Sequence, residues 1–316
     1  MSLRGRTARR ILKAFLPIIF IIVLAVVLVA AVIVYGITRP PHAAYLVTPQ
    51  TFAKVTGPIL KATDATWKNH DGTEARGWLL KGADGAPAVI LLHGYGADRS
   101  WLLNLAVKLN ESTNFTVLWP DLRGHGENPP VRWSLFGGLD GEDVTAAIDY
   151  LKTLKTASGQ PQVAPRIGLY GIELGSYAAL DAAHLNADVR ALALDSVPAS
   201  PDDLIRNATD TWSGMKSSAF HRLANAGVRI YGLGKYQSTP SCDLARSLQN
   251  IRVMVLCGGE SDTWRTSCLA LGACFTSTVE LKKDLMLTGA NLPNSTGEQE
   301  ESYDRPVIEF FDKALR

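Results

Sequence analysis

Surplus charge is missing from this chain: 32 lysines and arginines stand against 30 aspartates and glutamates in 316 residues, a formal net charge of +2. With no basic excess to neutralise phosphates, nucleic acid is excluded as a partner. Cysteine is scarce, with four in all at Cys242, Cys257, Cys268 and Cys274, and their spacing matches no zinc pattern. No metal or other cofactor is expected. Histidine is scarcer still where it matters, because none of the six follows His221. Internal repeats and low-complexity segments are also absent, which leaves one large domain plus an appendage.

The appendage is a long apolar run. Residues 14–37 carry no charge, and as a helix rising 1.5 Å per residue they would extend about 36 Å, enough to cross a bilayer core of about 30 Å with some tilt. Pro17 falls near the start of that run, where a helix tolerates it best. Arg4, Arg6, Arg9, Arg10 and Lys13 precede the run, whereas Arg39 and then Lys54 are the nearest cations after it. The positive-inside bias then places a basic tail, residues 1–13, in the cytoplasm and the main domain on the far side of the lipid bilayer. A cleaved signal peptide is the rival, but the run exceeds a signal core of about 7–15 residues and no clear small-x-small site follows. Residues 38–61, opened by Pro40, Pro41 and His42, read as a juxtamembrane linker with one short helix.

From residue 62 onward, short apolar runs at 75–80, 88–92, 116–120, 167–170, 191–195 and 253–257 alternate with amphipathic stretches at 143–154 and 176–184. Continuous rather than alternating apolar strands imply burial on both faces of a mainly parallel sheet, and the intervening helices make it doubly wound. Cys257 ends one such strand, where a buried thiol is the default. In an exported domain Cys268 with Cys274, or either with Cys242, remain open as disulfide pairings. Asn110, Asn114, Asn207 and Asn294 each begin an N-x-Ser/Thr sequon, which matters only where the host glycosylates exported proteins.

Between a strand-like run and a helix-like run lies Gly171-Ile172-Glu173-Leu174-Gly175. The frame is that of the nucleophile elbow G-x-S-x-G, a strained strand-to-helix turn whose glycines remove colliding side chains, with a carboxylate in place of the serine. Four further blocks accompany it in order: Pro87 to Gly96 (PAVILLHGYG), Trp119 to Gly126 (WPDLRGHG), the helical Glu142 to Leu151, and Arg166 to Gly171 (RIGLYG). Together they resemble the α/β-hydrolases, in particular the serine-aminopeptidase-like and prolyl-oligopeptidase-like branches with their membrane-anchored members. The resemblance covers about 250 residues.

It implies an α/β-hydrolase fold over residues 62–316, with a small cap at about 200–240 where Trp212, Met215, Phe220, Tyr231 and Tyr236 would line a pocket or pack the cap on the core. It implies an oxyanion hole in the loop of His93, Gly94 and Tyr95, completed by the N–H of Leu174. His93 and His125 are expected to brace loops. The acid of the catalytic triad falls on Asp262, with Glu260 beside it, and the histidine falls at Asn291 or Leu292, where none exists. With both the nucleophile and the base replaced, Ser-His-Asp hydrolysis is not expected. Glu173 itself would sit in the oxyanion hole, stabilised by the helix that begins there.

Two functions follow from the resemblance: ligand or partner binding by a catalytically degenerate domain, or hydrolysis of an ester or amide using Glu173 as nucleophile or base. For the latter, His184 and His221 are the substitute bases, and Ser176, Ser196 and Ser261 lie near the site without occupying its turn.

Overall fold

A computed structural model describes residues 3–41, 44–56, 61–259 and 262–316. Eight strands form one sheet in the order β1-β2-β4-β3-β5-β6-β7-β8. These are β1 (Thr63–Lys68), β2 (Glu74–Leu80), β3 (Ala86–Leu92), β4 (Thr116–Pro120), β5 (Val163–Ile172), β6 (Val189–Asp195), β7 (Arg252–Gly258) and β8 (Val279–Leu285). Only β1 with β2 and β2 with β4 pair antiparallel; every other neighbour is parallel. The inner strands are the continuous apolar runs of the sequence: Ala88 to Leu92 has no exposure at all, as a strand covered on both faces requires. The two edges read differently. In β1 only Ala65 and Trp67 are buried, and β8 carries Lys282 and Lys283, charges that discourage pairing with another edge.

Helices cover both faces. The helices are α1 (Leu3–Ile37), α2 (Pro49–Thr56), α3 (Leu103–Thr113), α4 (Asp140–Thr153), α5 (Leu174–Leu185), α6 (Pro201–Ser213), α7 (Ser218–Tyr231), α8 (Ser241–Ser247), α9 (Arg265–Gly272) and α10 (Glu298–Leu315). On one face Val144, Ile148, Leu180 and Leu244 of α4, α5 and α8 join the strands in the larger core. On the other, Leu105, Leu109, Phe310 and Phe311 of α3 and α10 form the second.

Three sequence expectations change. The apolar span is Phe15–Ile37, but the helix that carries it, α1, starts earlier, at Leu3, so Pro17 lies well inside the helix rather than near its start. The basic stretch continues the helix because Arg, Lys, Leu and Ala are good helix formers. The linker expected over 38–61 is tied to the domain. Ser134 N–H donates to the Thr38 carbonyl at 2.8 Å, Tyr45 donates to Asp121 at 2.7 Å, and Leu46 N–H donates to Ser100 Oγ at 3.1 Å; His42 lies outside the described residues. The cysteines pair Cys242–Cys274 and Cys257–Cys268. Cys257 is therefore no free thiol and Cys268 does not bond Cys274, because α9 folds back over β7 and brings Cys268 within a Cα distance of 5.7 Å of Cys257.

Candidate functional site

Sheet register builds the site. Leu92 of β3 pairs with Gly171 of β5, Ile172 with Asp195 of β6, Asp195 with Leu256 of β7, and Gly258 with Leu285 of β8. The C-terminal ends of five parallel strands therefore finish at one level, so the loops beyond them stand in a row along one edge, where ligands bind in open α/β sheets.

At the centre of that row β5 ends at Ile172 and α5 starts at Leu174, leaving Glu173 alone in the turn with φ 48° and ψ −107°. For a residue with a side chain this backbone costs about 1–3 kcal/mol. Glycine is obligatory on either side. A methyl group at Gly171 would lie 2.2 Å from the Gly175 carbonyl oxygen, and one at Gly175 would lie 2.4 Å from the Leu92 oxygen. The turn thus closes only because strand, helix and the neighbouring β3 approach backbone to backbone.

The Glu173 side chain makes no capping bond to α5. It turns instead towards the β3 loop, where a methyl group at Gly94 would stand 3.2 Å from Glu173 Oε2, and it accepts a hydrogen bond from the Trp264 side chain. Burial pushes its pKa up to about 7, opposed by the Trp264 bond and reinforced by the charges of Asp195 and Asp262.

Asp262 stands beyond β7. Its Oδ1 accepts from Trp264 N–H at 3.2 Å and its Oδ2 from Ser196 Oγ at 3.2 Å. Ser196 bonds Asp195 Oδ1 as well, at 2.7 Å. Asp195 is wholly buried, and its other oxygen accepts from Gly289 N–H at 2.5 Å and from the Tyr303 hydroxyl, which in turn meets Tyr170 Oη at 2.6 Å. Burial raises Asp195 to about 6, with the Tyr303, Ser196 and Gly289 bonds opposing and Asp262 adding. Sequence reasoning missed Asp195, Tyr303, Tyr170 and Trp264. The available signal was an aspartate closing an otherwise apolar strand, since a buried carboxylate demands donors. Tyr303 is 108 residues away and belongs to no motif.

The remaining sequence candidates divide. His93 is buried, accepts from Leu122 N–H at 3.0 Å and meets the Gly94 carbonyl at 2.8 Å. His125 Nδ1 donates to the Arg123 carbonyl at 2.9 Å. Tyr95 stacks on Phe136 with ring centroids 5.2 Å apart, and its hydroxyl donates to the Ile37 carbonyl at 2.5 Å, which ties the Gly94 loop to the end of α1. Leu174 is buried at the first position of α5. Asn291 is exposed and accepts from Thr288 Oγ1 at 2.7 Å, while Leu292 packs in the second core. His184 bonds Ser247 Oγ at 2.7 Å and His221 bonds Asp210 at 2.5 Å, so both are engaged elsewhere. Ser176 Oγ donates back to the Glu173 carbonyl at 2.6 Å, and Glu260 and Ser261 lie outside the described residues. Of the five aromatic and methionine candidates, Trp212, Met215 and Phe220 line a groove against α1, Tyr231 is exposed, and Tyr236 is buried with its hydroxyl on Asp202 at 2.5 Å. Among the described residues no group of three or more His, Cys, Asp or Glu is placed to hold a metal ion.

A mainly parallel eight-stranded sheet, helices on both faces and a strained strand-to-helix turn at its centre define the α/β-hydrolase fold. The chain belongs to the Alpha/beta hydrolase family, whose profile matches residues 89–287. It is similar to thiohydrolase aneE of Aspergillus aculeatus, 29% identical over 38% of this chain and 36% of the relative. It is also similar to polyketide transferase ATR5 of Stachybotrys chlorohalonatus, 25% identical over 58% of this chain and 61% of the relative. The matches thus span less than two thirds of either relative's length. Among solved structures, an esterase of Pyrococcus furiosus superposes with a TM-score of 0.64 at 17% identity, covering 88% of this chain and 98% of the esterase.

Proposed function

We propose that this is a single-pass membrane protein, N-terminus cytoplasmic, whose α/β-hydrolase domain on the opposite side has lost Ser-His-Asp hydrolysis and binds a small-molecule or protein ligand at the Glu173 site. The observation that carries this reading is Glu173 in the strained turn, facing Gly94, with no histidine in the chain after His221. A hydroxyl nucleophile and the base that would activate it are both missing from that turn and its partner loop. The membrane part rests on Phe15–Ile37, 23 residues long and apolar enough to cross a bilayer, preceded by five cations.

One observation favours a second reading. A carboxyl group raised to about 7 has the proton affinity a general base or acid needs near neutral pH, so hydrolysis through Glu173 is the alternative. Purified full-length protein is assayed against aryl esters, thioesters and aminoacyl amides, beside Glu173→Gln. The expected outcome is turnover by neither protein and no labelling by a serine-directed phosphonate. Turnover that disappears in Glu173→Gln would establish the alternative, and stoichiometric phosphonate labelling of the wild type would sink the binding reading.

A further inference from the structure

The end of α1 is not free. Ile33, Val34 and Ile37 are buried by α6 and α7, both of which pack on α1. The approach is close: a methyl group at Gly36 would lie 2.3 Å from the Trp212 indole, and one at Gly227 would lie 2.4 Å from Val34 Cγ2. Lower on α1, the connection between α6 and α7 runs beside the helix, and a groove of about 500 Å³ lies between them, lined by Leu28, Val32, Ile33, Trp212, Met215 and Phe220 among others. Trp212 is 47% and Met215 51% exposed.

Span length fixes the depth of that groove. A bilayer core of about 30 Å needs about 20 helical residues, and twenty counted from Phe15 end at Val34. Residues 28–33 therefore fall inside the hydrocarbon, and so does whatever stands beside them. Were the α6–α7 tip to remain in water, only about 13 residues, or about 20 Å of helix, would be left for the core. The helix cannot make up the difference from its other end, where Arg4, Arg6, Arg9, Arg10 and Lys13 follow one another and would each cost several kcal/mol in hydrocarbon.

We propose that the tip joining α6 to α7, Trp212 to Phe220, is a second membrane-embedded element, seated among phospholipid acyl chains beside α1. The proposal rests on the membrane-span reading above. Its polar residues suit a shallow seat: Lys216 is exposed and its long stem reaches the headgroups, while Asp210 and His221 pair with each other at 2.5 Å. Embedding also orients the site. Asp210 lines a second cavity, about 470 Å³, together with Trp264, the residue bonded to Glu173, so embedding the tip brings that cavity towards the membrane surface.

The test uses full-length protein reconstituted in phosphatidylcholine vesicles, with single probe sites introduced by Met215→Cys, Lys216→Cys, Val23→Cys and Ser158→Cys, each labelled with an environment-sensitive fluorophore. Both native disulfides are kept oxidised. Lipids bearing a nitroxide deep on the acyl chain should quench the probe at 23 at least twofold, and lipids bearing it high on the chain should quench the probe at 215 at least twofold, with a weaker effect at 216 and none at the exposed loop position 158. Quenching at 23 without quenching at 215 or 216 would overturn the proposal and leave the span intact. Loss of quenching at 23 as well would remove the span and the embedded tip together.

Discussion

Replacing Glu173 by glutamine should stabilise the folded protein above about pH 4.5, and fully only at neutral and alkaline pH. Its carboxyl group titrates at about 7 in the folded chain against an ordinary value of 4.5. Below pH 4.5 the group is protonated whether the chain is folded or not, and it contributes nothing. Between 4.5 and 7 the unfolded chain has released its proton and the folded chain has not, so stability falls as pH rises; above 7 the full cost applies. At about 1.4 kcal/mol per decade that cost is about 3 kcal/mol, or about 6–12 °C in Tm for a domain of this size. Glutamine keeps the shape and an oxygen for the Trp264 bond while removing the charge. Thermal unfolding followed by tryptophan fluorescence, on both proteins in detergent micelles, should give nearly equal Tm values at pH 4.5 and a variant more stable by that margin at about pH 8. Asp195 titrates in the same direction but is present in both proteins, so the difference isolates Glu173. A Tm difference independent of pH would refute the argument, because it would mean that the carboxylate is solvated or paired in the folded state.

Three other outcomes are expected. Gly175→Ala places a methyl group 2.4 Å from the Leu92 oxygen, so the variant should lose about 3 kcal/mol or more and show a correspondingly lower Tm. Tyr303→Phe takes a donor from the buried Asp195 carboxylate and should cost about 1.5–3 kcal/mol; the loss should shrink as the pH falls towards about 6, because the variant's Asp195 takes up its proton at a higher pH than the wild type's. Replacing Cys242 and Cys274 by serine opens a link between residues 32 apart in sequence and should lower stability by about 2–4 kcal/mol in the same unfolding assay.

Much of this protein was legible in its residues because the signals were local. Short uninterrupted apolar runs alternating with amphipathic stretches signalled strands covered on both faces, and Gly171 and Gly175 two positions either side of Glu173, with the four accompanying blocks, signalled a turn too tight for a side chain. The apolar length of residues 14–37 likewise depends on nothing beyond itself. What the chain could not disclose was every contact made across long sequence separations. Asp195 acquires its partners from Gly289 and Tyr303, and Trp264 reaches Glu173 because α9 folds back over β7. Cys257, at the end of an apolar strand, reads as a buried thiol, and only that fold brings Cys268 to it and leaves Cys274 for Cys242. The end of α1, read from sequence only as the close of an apolar span, is held by Trp212 and Tyr95, and Thr38 of the segment read as a juxtamembrane linker by Ser134, because the close of one element is buried by whichever surface the rest of the chain brings to it.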